Sequence, residues 1–318
     1  MAGGVYPPVV IIDEMNTREK RLAQMNRGME ELGLWLGDLT RQGLGQVDAQ
    51  ALERFAAHMV DAKLGSIGRR IRGWKRLLGQ ENWQEQLLTE MGELFLLVLA
   101  FRKAGTLPGD LVHDLLQLAG MPPKKEEVLQ GDPVDGIWSV LGIVSGEEDN
   151  LRFRRTWLQR EKDGSFALLL DFAWGEQPFG QNWQLGRQHK GTLAYYPSAF
   201  PQRALVHELE KPGFGELLPT GLRTLEDLGS RYAEALALQP WLHRFPVFLE
   251  NVLPLRLENG AWLLADENRQ ALPLTCSPLA GWALLSLSGG HPLGVFGEYD
   301  GATLSPLSCL SSGRLIGV

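Results

Sequence analysis

The apolar residues of this 318-residue chain change their period once, and that change divides the fold. From residue 16 to about residue 120 they recur at three- and four-residue intervals, the spacing of one buried helix face. Beyond residue 131 they fall into short runs separated by turn residues, as strands do. The same point marks a shift in composition: 13 of the 18 prolines and 7 of the 10 tryptophans follow it. A chain of this length exceeds the usual single domain, so two domains with separate cores are expected.

In the front half Leu22, Met25, Met29, Leu32, Leu36 and Leu39 form one stripe, with Asn16 or Thr17 as its cap. Asp48 can cap a second helix over 48–63, whose Leu52, Phe55, Met59 and Val60 face inward. Ile67, Ile71, Trp74 and Leu78 mark a shorter amphipathic segment. The segment 83–104 is apolar almost all round at its centre, which predicts a helix in the middle of a bundle. A last helix over 107–118 ends at Gly120, followed by Met121-Pro122-Pro123. Residues 1–15, with two glycines and two prolines before a short apolar run, read as an extended arm. The expected division is a helical domain over 16–121, a linker over 122–133 and a β-rich domain over 134–318.

In the back half, runs at 138–144, 151–159 and 166–174 read as an antiparallel meander, turning at 146–150 and at Asp163-Gly164. Further strands are expected at 192–196, 203–209, 261–265, 283–287, 294–296 and 314–318, with one helix over 224–238. Asn259-Gly260, Gly289-Gly290 and Asp300-Gly301 supply turns. The fold class is therefore α+β: an N-terminal helical bundle followed by a β-rich, largely antiparallel domain with one helix.

The sequence offers little chemistry. Cys276 and Cys309 are too few for a structural zinc or a disulfide scaffold, and read as reduced, buried thiols. His207-Glu208 begins like a zinc-protease helix, but Lys211 stands where the second histidine belongs. Ser288-Gly289-Gly290-His291 lacks the frame of a nucleophile elbow, and no phosphate-binding glycine loop occurs. No catalytic residue, metal ligand or cofactor is assigned. Glu298 and Asp300 are the one acidic pair that could share a strand face, although Asp300-Gly301 reads better as a turn.

Two basic clusters stand out. Arg69, Arg70, Arg72, Lys75 and Arg76 lie on the short third helix and could meet phosphates; Arg152, Arg154, Arg155 and Arg160 lie on a strand. Yet residues 1–130 hold 16 Lys and Arg against 17 Asp and Glu, and the remainder 15 against 21. Neither half is basic, so solvated faces or internal ion pairs account for these residues better than a polyanion does. Tryptophans suit both a β-rich core and an interface anchor. Arg154, Arg155, Trp157, Glu298 and Asp300 are the candidate partner surface. No export signal or membrane-spanning run is present, which makes cytoplasm the default.

Several stretches together resemble the bacterial SWIM zinc-finger family, in the region that follows the finger. They are residues 29–39 (MEELGLWLGDL), Arg41-Gln42-Gly43-Leu44, Met59-Val60-Asp61-Ala62, Arg154-Arg155-Thr156-Trp157-Leu158, residues 167–172 (ALLLDF), Tyr196-Pro197, Gln239-Pro240-Trp241-Leu242, Ser288-Gly289-Gly290 and Val295-Phe296-Gly297-Glu298. The likeness runs over roughly 16–318 and rests on many matches in one order. It implies a protein that begins with a C-x-C…C-x-H zinc motif and is encoded beside MoxR-type AAA+ ATPases and von Willebrand A-type proteins. This chain has no C-x-C or C-x-H, so zinc binding does not carry over. The expected function is a non-enzymatic adaptor whose partner is such an ATPase or von Willebrand A-type protein. The alternatives are a nucleic-acid-associated protein using the basic helix face, and an enzyme using Glu298 and Asp300.

Overall fold

The structure, a computed structural model, describes residues 10–148, 151–210, 213 and 219–318. Two compact units divide it, Met1–Pro122 and Pro123–Val318.

The first unit holds α1 (Val10–Gln42), α2 (Ala49–Asp61), α3 (Gly65–Gly73), α4 (Trp83–Arg102) and α5 (Gly109–Leu118). Of the arm expected over 1–15, residues 1–9 lie outside the described ones, and residues 10–15 belong to α1, which begins at Val10. After Pro7-Pro8 no proline occurs until the helix has ended, so nothing in the sequence stops it from starting there. Asp48 caps α2, its carboxylate accepting the Ala51 N–H at 2.6 Å. The stripe of α1 buries Met25, Met29, Leu32 and Leu36 completely or nearly so, α2 buries Leu52, Ala56 and Met59, and α1 lies against α4. Trp35 stacks on Phe55 at 3.9 Å between centroids and on Trp74 at 6.2 Å, joining α1, α2 and the turn after α3. Helix α4 buries Leu87, Met91, Leu94, Leu97 and Val98, while Leu88, Phe95, Leu96 and Leu99 stay exposed. It therefore lies at the side of the bundle rather than in its middle.

The second unit opens with α6 (Lys125–Leu129), which falls inside the stretch expected to be linker. Val128 anchors this short helix against Ala194 and Tyr196, so those residues belong to a core. There follow β1 (Val134–Glu148), β2 (Leu151–Arg160), β3 (Phe166–Trp174), β4 (Gln188–Tyr195) and β5 (Arg203–Leu209). They form a closed barrel in the order β1-β2-β3-β5-β4, with β3 and β5 parallel and the other pairs antiparallel. This is a five-stranded Greek-key barrel of the OB type. The meander read from the sequence is present, but closure through β5 follows from a non-local pairing that no local pattern announces. The turn expected at 146–150 is narrower, since β1 continues to Glu148; Asp149 and Asn150 lie outside the described residues.

Next come α7 (Leu225–Leu238), β6 (Phe245–Arg256), β7 (Trp262–Ala265), β8 (Ala271–Pro273), α8 (Pro278–Ser288), β9 (Leu293–Tyr299), β10 (Leu304–Ser311) and β11 (Arg314–Gly317). The strands form one sheet in the order β11-β10-β9-β6-β7-β8. The strand expected at 283–287 is part of α8: Ser277 caps it through the Ala280 N–H, Pro278 opens it, and Gly289 ends it in the left-handed region. Thus Ser288-Gly289-Gly290 is a helix C-cap, with the Ser288 hydroxyl donating to the Leu285 carbonyl. The strands β6 and β10, which flank β9, escape the sequence pattern because Pro246, Pro254 and Pro306 interrupt them. The ladder accommodates Pro306 at a register shift between Pro306 and Ser308, and a second shift between Leu249 and Val252 surrounds Asn251, whose φ is 57°.

Candidate functional site

Side chains alternate across β2 and β3, and the alternation sorts the expected site residues. Thr156 and Leu158 of β2 and Ala167, Leu169 and Ala173 of β3 are buried in the barrel. On the opposite face of β2, Trp157 and Arg155 turn toward the sheet. There the Trp157 indole N–H donates to Glu298 Oε1 at 2.8 Å, and Arg155 reaches the same carboxylate at 3.0 and 3.2 Å. Arg244 adds a longer contact at 3.5 Å. Burial and the neighbouring positive charge of Arg155 lower the Arg244 pKa, against the pull of Glu298. Leu141, Trp157, Phe248 and Phe296 fill the space around the cluster, and Ser308 donates to the Leu141 carbonyl. At Gly142 an added Cβ would come within 2.6 Å of the Phe296 ring, so only glycine permits this approach of barrel to sheet.

These contacts join barrel and sheet inside one unit. Trp157 is inaccessible and Glu298 nearly so, which removes both from the expected partner surface. Arg154 is also buried: it pairs with Asp171 at 2.6 Å and donates to the Gln181 carbonyl. Asp300 sits at the turn after β9, where it accepts from the N–H groups of Ala302 and Thr303 at 2.9 and 2.7 Å. Burial pushes its carboxyl up, but those N–H donors and the Thr303 hydroxyl outweigh burial and hold it below the usual carboxylate range. Glu298 and Asp300 are thus spent on separate structural tasks and do not form an acid–base pair.

The basic helix face is similarly committed. Arg70 pairs with Glu90 at 2.7 Å and with Glu93, Arg72 with Glu53 at 2.8 Å, and Lys75 also with Glu53. Trp74 donates to Glu90, so these pairs hold α3 against α2 and α4. Arg69 and Arg76 are exposed. Two cations are a thin electrostatic footprint for a polyanion.

What the structure does expose lies higher on the outer face of β2 and β3. Phe153 stands opposite Phe172, and Leu151 opposite Trp174, so four large apolar side chains share one surface. Phe172 is 57% and Trp174 62% exposed, high values for residues that fold by burying apolar area. Nearby cations are taken: Arg155 lies 5.7 Å from the Phe153 ring and pairs with Glu298, while Arg152 and Arg154 stack on Phe179 at 5.4 and 4.5 Å and reach the 177 and 181 carbonyls. The result is an aromatic platform on the outer face of β2 and β3. Sequence reasoning weighed Trp174 with Trp157, Trp241, Trp262 and Trp282 as core or interface tryptophans and met Phe172 within a strand and the 167–172 stretch; the signal that distinguishes them is their place on the face that alternation sends away from the barrel.

In OB-type barrels the face of the second and third strands binds oligonucleotides and oligosaccharides, and fold by itself assigns no function to this chain. Comparison with known proteins places a SWIM-associated four-helix bundle domain over residues 20–119, which is the span of α1 to α5. The likeness read from the sequence holds over that helical region. No curated protein and no solved structure matches the chain. Among the described residues no helix is long and apolar enough to cross a membrane.

Proposed function

From a chain whose residues 20–119 are a SWIM-associated four-helix bundle domain, we propose a non-enzymatic adaptor that binds a protein partner on the outer face of β2 and β3. The observation that carries this reading is the exposed pair Phe172 and Trp174 at the end of a face whose lower half is already used in packing. Exposed aromatic residues in a cluster are the usual anchors of protein interfaces. With the neighbouring arginines engaged internally, the face offers aromatic and apolar surface to an apolar partner segment. The acidic balance of the residues after 130 argues against nucleic acid.

The partners implied by the family likeness are a MoxR-type AAA+ ATPase and a von Willebrand A-type protein, and the site of action is the cytoplasm. Co-expression with each tests the reading. The wild-type chain is expected to co-purify with one of them, and the double variant Phe172→Ala, Trp174→Ala to lose it while keeping its melting temperature. Equal recovery of the partner with both chains excludes this face.

A further inference from the structure

Helix α4 carries two apolar seams, and among the described residues only one is covered. Leu87, Met91, Leu94 and Val98 are spaced by four, three and four residues and pack into the bundle. One position further on, Leu88, Gly92, Phe95 and Leu99 repeat the same spacing on a neighbouring face, with Leu96 beside them. That second seam is open: Leu88 is 52%, Phe95 40%, Leu96 45% and Leu99 38% exposed. A repeat of four and three residues is the pattern that receives another helix, each side chain entering a gap in the facing row.

The occupant is legible in the helix itself. About a two-fold axis passing between Glu93 and Leu94, antiparallel pairing of α4 with its copy sets Leu88 against Leu99 and Gly92 against Phe95. A Cβ placed on Gly92 would meet nothing within 4 Å, so the helix surface there is open and leaves room for a facing phenyl ring. The charges match too. Glu81 and Glu85 lie at the N-terminal end and Arg102 and Lys103 at the C-terminal end, so antiparallel copies bring acid to base at both ends. Arg102 already bonds Glu30 at 2.7 Å, which leaves Lys103 as the freer cation for Glu85. A parallel pair would set like charges together and ring against ring.

We infer that α4 is a self-association surface, through which two copies of this chain form an antiparallel, two-fold symmetric dimer. The dimer displays two β2–β3 platforms, so a partner with repeated sites would be held at both.

Light scattering on the full chain across a wide concentration range reads the mass. A dimer that dissociates on dilution is expected, and Phe95→Glu is expected to give a monomer with unchanged helicity by circular dichroism. Geometry is tested separately in a Cys276→Ser background. Leu88→Cys mixed with Leu99→Cys should form a disulfide between chains on oxidation, and neither variant alone should do so. A chain that is monomeric throughout, a dimer indifferent to Phe95→Glu, or cross-linking of Leu88→Cys to itself would overturn the inference. Since Phe172 and Trp174 are untouched by these changes, partner capture by the monomeric variant separates failure here from failure of the adaptor reading.

Discussion

Replacing Glu298 by alanine should loosen the β-rich unit more than any other single polar change. The carboxylate is 8% exposed and holds the Arg155 guanidinium, itself 16% exposed, together with the Trp157 indole N–H at 2.8 Å. Its removal leaves a largely buried cation without a counter-charge and a buried donor without an acceptor. Breaking a buried pair from one side costs about 3–5 kcal/mol. That is a large part of the ~5–15 kcal/mol by which a folded protein is usually stable. For a unit of this size each kcal/mol moves the melting temperature by roughly 2–4 °C, so a fall of about 6–20 °C is expected. Tryptophan fluorescence during urea or thermal unfolding is a suitable assay, because Trp157 is at the site and 7 of the 10 tryptophans follow residue 131. The double variant Arg155→Leu, Glu298→Leu removes both charges and should recover much of the loss. If Glu298→Ala unfolds within about 1 kcal/mol of the wild type, the seam is not held by a desolvated charge pair and the reasoning fails.

Asp48→Ala removes the acceptor of the Ala51 N–H and should destabilise the helical unit by about 1 kcal/mol, seen as an earlier far-ultraviolet melt. Burial raises the Cys309 thiol to about 11, and that of Cys276 to a lesser degree, so at mildly alkaline pH a thiol reagent should modify Cys276 slowly and Cys309 only after denaturation. Asp300 is more acidic folded than unfolded, so its contribution is in place above the ordinary carboxylate range and is lost as pH falls through its lowered value. Asp300→Asn should therefore flatten part of the stability loss measured by acid titration, and an unchanged acid limb would count against the turn as its source. Tyr195, pushed up to about 12 mainly by burial, should ionise above the ordinary tyrosine range in an alkaline absorbance titration.

Much of the fold is legible in local pattern. The helices α2, α5 and α7 announce themselves through Asp48, Gly120 and Thr224, because caps and αL residues are local chemistry. The strands 203–209 and 166–174 keep a clean alternation and are found where they were expected. What stays hidden is non-local or contradicted by local signals. Pro246 and Pro306 disguise β6 and β10, since a proline argues locally against a strand, yet the ladder takes Pro306 at a register shift and Pro246 in regular register. Helix α8 looks like a strand at 283–287 because its residues are apolar on all sides, and such a run has no period to read. The same ambiguity misplaces α4, whose two seams read together as a fully buried helix. At the candidate site, charge and aromatic content picked Arg155, Trp157 and Glu298, which do converge. Their convergence is internal, however, and strand parity alone decides that Trp157 faces the sheet while Trp174 faces solvent.

Amide hydrogen exchange of the chain with and without its bound partner tests the central claim most directly. The account predicts slower exchange over residues 151–155 and 170–176, with the opposite side of the barrel unchanged. Protection confined to the helical unit, or spread evenly over both units, would contradict a partner site on the outer face of β2 and β3.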